Sequence, residues 1–321
     1  MKKQIPINKA MVEDNEIKII AISGSGRSGS TILSILLSQN EDVFNLGQSR
    51  DFWHAFGENT HCSCEACMAE CPVWSSAIAN GFETWNKDDF EHAESLMKKF
   101  AKNATRISDW SNTKKLAQLR NDHSEYLDIL ERFIIGCATR TGVNTFVDSS
   151  KSPEIALAYS LLENVSVYVL NLARDPRSVA CSWEKKFGTR KVVRKFCKAW
   201  KKRQLRLIRW AKSLGKRYRM TRYEEFVDSP EHTIREILDW CEVNPETAFF
   251  VSEAAASISW ENQHLYAPAN EKVLAEKKTE IAIAAPNEWR KRKNLPTHLL
   301  ALLFTCPTGT RYILQNSSKD R

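Results

Sequence analysis

The stretch Gly24-Ser25-Gly26-Arg27-Ser28-Gly29-Ser30-Thr31 constrains this chain more than any other. It follows IKIIAIS (17 to 23), a short apolar run rich in β-branched residues that reads as a buried strand. It precedes STILSILLSQN, where Ile32, Leu33, Ile35, Leu36 and Leu37 recur at helical spacing. Strand, glycine loop and helix in that order leave backbone N–H groups free at a helix start. Such groups converge on an anion, and glycines let the chain approach it closely. The first and sixth residues match a Walker A frame, but Ser30 stands where that frame has its Lys, while Thr31 keeps the hydroxyl. The cation at hand is Arg27, inside the loop.

The rest of the chain alternates in kind. DVFNLG (42 to 47), TFVDSS (145 to 150), VSVYVLNLAR (165 to 174) and the start of KRYRMTRYEEF read as further strands. Helical patterns cover 88 to 104, 113 to 141, PEIALAYSLLEN, the run from Pro176 to Phe187, and pieces near 246 to 256 and 296 to 306. This order implies an α/β fold, a P-loop-type parallel sheet flanked by helices, with a cysteine-rich and helical insertion over about 50–142. Residues 1–16 are polar and expected to form a flexible tail, with 17–321 as a single domain. No run approaches the roughly 18 apolar residues of a membrane span, and MKKQIPINKAMVEDNE has no signal-peptide core, so a cytoplasmic location is expected.

A second anion-holding element is VLNLARDPRSVACSW. Arg174 at the end of a strand offers a bidentate fork for a phosphate, and Pro176 opens a helix that brings Ser182 alongside. An Arg174–Asp175 structural pair is the other reading of this stretch. The formal charge of +8 favours anionic ligands. Much of that charge sits between Lys185 and Arg222, interleaved with Trp200, Leu205, Leu207, Ile208 and Trp210 as the inner stripe of a helix. Its basic face is either a solvated surface or one that collects anions or an acceptor.

SGSGRSGSTILSILLSQNEDVFNLG resembles the 5′-phosphosulfate loop of sulfotransferases that use 3′-phosphoadenosine 5′-phosphosulfate (PAPS), notably the RSGS/T type of soluble bacterial members and of carbohydrate and tyrosylprotein sulfotransferases. The resemblance implies that Gly26, Arg27, Ser28, Gly29, Ser30 and Thr31 hold the 5′-phosphosulfate. It also implies that Arg174 and Ser182, eight residues apart, hold the 3′-phosphate. FVDSSKSP is similar to the segment where the family carries a Lys near the transferring group, here Lys151, and MTRYEEFVDSP to the one that sets Tyr223 near the adenine. EWRKRK (288 to 293) offers a further contact. PAPS is the implied cofactor, with no metal required, and the implied partner is a small-molecule acceptor of sulfate at oxygen or nitrogen, not nucleic acid or a membrane.

Arg27 and Lys151 are the candidate catalytic cations, since preorganised positive charge stabilises a developing anion. Many relatives have Gly-Glu after the second strand, but here Gln48 follows Gly47, and an amide is no general base. Asp51, His54 and Asp148 are the nearest replacements. Two rival readings remain: a P-loop kinase with Asp148 ending a Walker B strand, and a non-enzymatic binder of nucleic acid or an anionic surface through the basic helix.

Cys62, Cys64, Cys67 and Cys71 form C-x-C-x2-C-x3-C before Pro72 and Trp74. These thiols either pack a loop, reduced or paired, or hold zinc tetrahedrally, with an iron–sulfur cluster as the third reading. Soluble bacterial sulfotransferases resemble this chain in a C-x-C followed by C-P-x-W, which leaves Cys67 as the extra residue. Nine cysteines in all, an odd number, argue against a full disulfide framework. The insertion is expected to wall the acceptor pocket, where Trp53, Phe56 and Trp74 suit an apolar or planar acceptor or else pack the core.

Overall fold

The computed structural model describes residues 16–82, 84–267, 271–284 and 287–317. The expected N-terminal tail lies outside them, save Glu16. The apolar runs form one parallel sheet of β1 (Ile17–Gly24), β2 (Val43–Gly47), β3 (Thr145–Lys151), β4 (Val165–Ala173) and β5 (Tyr218–Arg222). Their order is β2-β3-β1-β4-β5. Every neighbouring pair is parallel. β1 alternates Ile17, Ile19 and Ala21 into one apolar cluster with Ile20 and Ile22 into another, so both faces are covered.

α1 (Ser30–Leu37) leaves the glycine loop and covers the second face. After β2 the insertion supplies α2 (Phe52–Gly57), α3 (Trp74–Gly81), α4 (Lys87–Arg106), α5 (Thr113–Asp122) and α6 (Ser124–Thr141). Asn86 and Asp89 start α4 with a reciprocal capping box. The single helix expected over 113 to 141 is divided at His123, whose ring is bonded to Asn103 at 3.0 Å and packed edge-on to Phe100. Trp53 and Trp74 are buried against Phe52 and Phe133. Phe56 stacks on Phe90. These aromatics pack the core, which decides between their two readings.

α7 (Pro153–Tyr159) and α8 (Pro176–Phe187) each begin with a polar cap and proline, Ser152-Pro153 and Asp175-Pro176. The basic helix is α9 (Val193–Leu214). Its buried stripe contains Trp200, Leu207 and Trp210 as expected, but Gln204 takes an inner position and Ile208 is 47% exposed. Gln204 is held there by a reciprocal amide pair with Asn171 of β4, at 2.9 and 3.1 Å.

α10 (Tyr223–Asp228) and α11 (Pro230–Trp240) follow β5. The piece expected to be helical near 246 to 256 is instead a hairpin of β6 (Phe250–Ser252) and β7 (Ala255–Ser257). Pairing of β7 with β8 (Glu280–Ala282) outweighs the helix propensity of the alanines and buries Ala256. α12 (Glu271–Glu276), α13 (Leu295–Thr305) and α14 (Thr308–Ser317) complete the described chain. Among the described residues no helix is long and apolar enough to cross a membrane.

Candidate active site

β1 and β4 are neighbours, and their connections run to opposite sides of the sheet. The C-terminal edge of such a pair is where open α/β sheets take ligands. The glycine loop leaves β1 at this edge. Gly29 precedes α1 at φ 83, and a Cβ there would lie 2.5 Å from Cε2 of Tyr223. A Cβ on Gly26 would lie 2.8 Å from Cζ2 of Trp183. Arg27 between them is held at φ 71, a left-handed conformation that costs a non-glycine residue about 1 kcal/mol or more.

The β4 exit closes on this loop from the other side. Arg27 Nε donates to Ser182 Oγ at 3.0 Å, and Arg174 Nη1 donates to the Arg27 carbonyl at 2.8 Å. The Arg174 guanidinium also lies 4.1 Å over the Tyr223 ring. Burial holds its pKa below the usual guanidinium value, with Tyr223 and Glu224 opposing that shift. Asp175 pairs with Arg177 at 2.6 Å while capping α8. The structure therefore brings Arg27, Arg174, Ser182 and Tyr223 into one cluster on four different elements. From the EWRKRK segment, the Trp289 ring lies 5.3 Å from the Arg177 guanidinium.

Ser23 Oγ, Ser28 Oγ, Arg174 Nε, Ser178 Oγ, Trp183 Nε1 and Thr221 Oγ1 are buried without a hydrogen-bond partner among the described residues. All six belong to the ends of β1, β4 and β5, the glycine loop or α8. An unpaired buried polar group costs about 1–3 kcal/mol. Their concentration here fits a polar ligand that completes them. Ser178 and Trp183 carry no motif signal of their own, although both lie in RSVACSW on the helix that carries Ser182.

Lys151 ends β3 in register with Ser23, at φ 61, and its Nζ donates to the Ser149 carbonyl at 2.8 Å. Burial pushes its pKa down to about 8, helped by Arg50 and Arg203 and opposed by Asp148 and Asp51. Asp51 accepts from Arg50 Nε at 3.2 Å and so belongs to this charged group. His54 does not: its side chain is 51% exposed, with Nδ1 3.9 Å from Glu94 on α4. Asp148 is saturated by donors, accepting from Ser49, from Tyr159 at 2.8 Å and from the Ser150 N–H at 2.6 Å. Its carboxylate braces the sheet edge. Gln48 is buried just after β2.

Of the clustered cysteines, Cys62, Cys64 and Cys71 gather with His264, their ligand atoms all within 4.8 Å of one another. Cys67 is turned elsewhere, its sulfur 3.9 Å from His61 Nδ1. His264 is 193 residues from Cys71, and nothing in its local sequence marks it.

Residues 20–247 match the model of the Sulfotransferase family. Among solved structures, the chain is similar to the sulfotransferase domain of the Synechococcus PCC 7002 olefin synthase, with 17% identity over 94% of this chain and 98% of that one, at a TM-score of 0.45. The sulfotransferase domain from the curacin biosynthetic pathway is 18% identical over 94% and 97%, with a TM-score of 0.40. Sulfotransferase STF9 from Mycobacterium avium is 13% identical over 84% and 78%, with a TM-score of 0.44. No curated protein matches. The family match runs from within β1 past α11 and takes in the glycine loop, the Arg174 turn and the rest of the parallel sheet, so this chain belongs to the sulfotransferase family and its chemistry is sulfuryl transfer.

Proposed function

We propose that the chain moves a sulfuryl group from PAPS to a hydroxyl or nitrogen of a small-molecule acceptor and releases 3′-phosphoadenosine 5′-phosphate (PAP). The observation that carries this reading is the junction of Arg27, Arg174 and Ser182, surrounded by buried polar atoms that lack partners. A nucleotide bearing anions at both ends supplies acceptors for these donors. In this reading the loop from Gly26 to Thr31 holds the 5′ end through its N–H groups. Arg174, Ser178 and Ser182 hold the 3′-phosphate, and Tyr223 packs at the adenine.

PAPS supplies an activated sulfuryl group on a phosphate leaving group. Arg27 and Lys151 are its charge-stabilising cations, because each is held at the same sheet edge by a strained backbone. Asp51 is the preferred candidate to take the acceptor proton, since it shares the Lys151 environment. Arg50, Lys151 and Arg203 together favour an acceptor with anionic character near its reacting group. Residues 17–321 are read as one catalytic domain that acts in the cytoplasm.

The test is thermal shift with PAP and ADP, followed by transfer of labelled sulfate from PAPS to a panel of phenols, alcohols, amines and sugar acids. PAP at about one hundred times its Kd stabilises the protein by about 2.7 kcal/mol, a rise of several degrees. ADP, without the 3′-phosphate, gives a much smaller rise. Equal shifts with both nucleotides, or none with either, would remove the basis for the nucleotide assignment.

A further inference from the structure

We propose that Cys62, Cys64, Cys71 and His264 form a structural zinc site that fastens the insertion to the segment before α12. The proposal is independent of the nucleotide reading, because it uses none of the residues assigned to the nucleotide. His264 Nδ1 lies 3.2 Å from Cys71 Sγ and 3.8 Å from Cys62 Sγ. All four ligand atoms fall within 4.8 Å of one another. Tetrahedral zinc with Zn–S of about 2.3 Å and Zn–N of about 2.0–2.1 Å separates its ligand atoms by roughly 3.6–3.8 Å. Shortening the widest separations and opening the 3.2 Å Cys71–His264 pair by a few tenths of an ångström, about the scale of a side-chain adjustment, reaches that geometry.

The local backbone is built for the purpose. The Glu65 N–H donates to the Cys62 carbonyl at 3.0 Å, and Glu65 sits at φ 74. This tight turn brings Cys62 and Cys64 together despite their separation by a single residue. Cys71 lies just before α3, fixed by its own N–H donating to the Cys67 carbonyl at 2.8 Å and by the Ser75 N–H donating to its carbonyl at 3.0 Å. Phe44 stacks on the His264 ring, and the Trp74 indole donates to its carbonyl at 2.7 Å, which fixes the imidazole.

The chemistry of the donor set selects the metal and its role. Three thiolates and one imidazole favour zinc, and four protein ligands leave no open position for catalysis. Cys62, Cys71 and His264 are buried, and Cys64 closes the group from a half-buried position. A disulfide between Cys62 and Cys71 would leave Cys64 and His264 with no reason to converge.

The site joins two irregular segments that also meet through main-chain bonds and through the hydroxyls of Thr60 and Ser63. The Ser63 N–H donates to the Leu265 carbonyl at 2.7 Å, and the Ala267 N–H to His61 at 3.3 Å. Between those bonds lies Tyr266, whose hydroxyl donates to the Leu46 carbonyl at 2.9 Å. Leu46 precedes Gly47 and Gln48, so the zinc site would fix the exit of β2, from which Asp51 is carried.

The experiment uses the full chain, free of any histidine tag, purified from zinc-supplemented culture. Elemental analysis should find one zinc per chain, released by a mercurial reagent in step with thiol titration. Replacement by cobalt should give the visible bands of a tetrahedral site and near-ultraviolet thiolate charge transfer. Cys67→Ser should keep full metal, whereas Cys64→Ser and His264→Ala should weaken zinc binding by more than tenfold. Should His264→Ala not fold, the metal count and cobalt spectrum of the wild type and of Cys67→Ser still decide. Metal-free wild type, a Cys62–Cys71 disulfide, an iron–sulfur chromophore, or loss of metal in Cys67→Ser would each overturn the proposal.

Discussion

Arg174 donates to the main-chain carbonyl of Arg27 across 2.8 Å, although the two residues are 147 positions apart. The same Arg27 reaches Ser182 through its side chain. The loop after β1 and the turn after β4 are thereby one body before any ligand arrives. Only one face of the Arg174 fork is engaged in this bracing. Its Nε remains buried and unpaired, at the cost of about 1–3 kcal/mol, and that nitrogen is the donor a 3′-phosphate would complete.

Arg174→Ala is therefore expected to weaken PAP binding by about tenfold to a hundredfold, the equivalent of one charged hydrogen-bonding contact of about 1.5–3 kcal/mol. Arg174→Lys keeps the charge without the planar fork and should recover only part of the loss. Calorimetric titration with PAP measures both. Because Arg174 also braces Arg27, each affinity is compared alongside the variant's own ligand-free melting temperature. A change below twofold for the alanine variant would take Arg174 out of the site.

The contact between Gly26 and Trp183 gives a second expectation. A methyl group on residue 26 would sit 2.8 Å from the indole, which is stacked on Phe196 at 3.9 Å and has little room to retreat. Gly26→Ala should lose about 1–3 kcal/mol of stability and bind PAP more weakly. Trp183→Phe trims the ring at the point of contact. The double variant should then be less damaged than the sum of the singles, with a coupling of about 1 kcal/mol in a denaturation cycle. Strict additivity would mean that the loop and α8 do not meet there in solution.

The parallel sheet was legible because burial on both faces leaves near-continuous runs of Val, Ile and Leu, bounded by turns. Gly24 to Thr31 and Arg174 to Ser182 were legible because each carries its chemistry within one short stretch. What escaped was long-range or set by packing. His264 joins Cys62, Cys64 and Cys71 only through the fold, and a lone histidine carries no spacing signal. Residues 250 to 257 have helix-forming alanines, but an antiparallel partner at 280 to 282 makes them a hairpin. Gln204 occupies a core position because Asn171 is opposite, a fact invisible in either segment alone.

The candidate bases separate by environment. Asp51 belongs to the group around Lys151 and Arg50, while His54 projects toward Glu94 with half of its side chain exposed. Asp51→Asn should lower kcat by about 10²–10⁴-fold if it removes the acceptor proton, with PAP affinity unchanged. His54→Gln should stay within about twofold of the wild type. Steady-state kinetics with one productive acceptor separates the two, and a large loss in the His54 variant alone would reverse the assignment.

Lys151 gives the sharpest dependence on pH. Burial, Arg50 and Arg203 push its pKa down to about 8, so the ammonium form dominates at neutral pH and is lost as pH rises through 8. If its charge stabilises the departing phosphate, kcat/KM, which reports the free enzyme, should be level near pH 7 and fall above about pH 8. A lysine acting as base would give the opposite limb, with the rate climbing through the same pH. Lys151→Arg, which stays charged throughout, should abolish the fall at the expense of a lower plateau. Stability carries the complementary sign. The folded pKa lies below the unfolded value of about 10.4, so folding is opposed most strongly below pH 8, and the penalty is relieved as pH climbs from 8 toward 10.4. Lys151→Met should accordingly melt a few degrees higher than the wild type at pH 7 and lose that advantage near pH 10, while its sulfuryl transfer drops at least a hundredfold. Melting curves and initial rates across the same buffers test both halves together, and a rate that rises through pH 8 would transfer Lys151 from the role of cation to that of base.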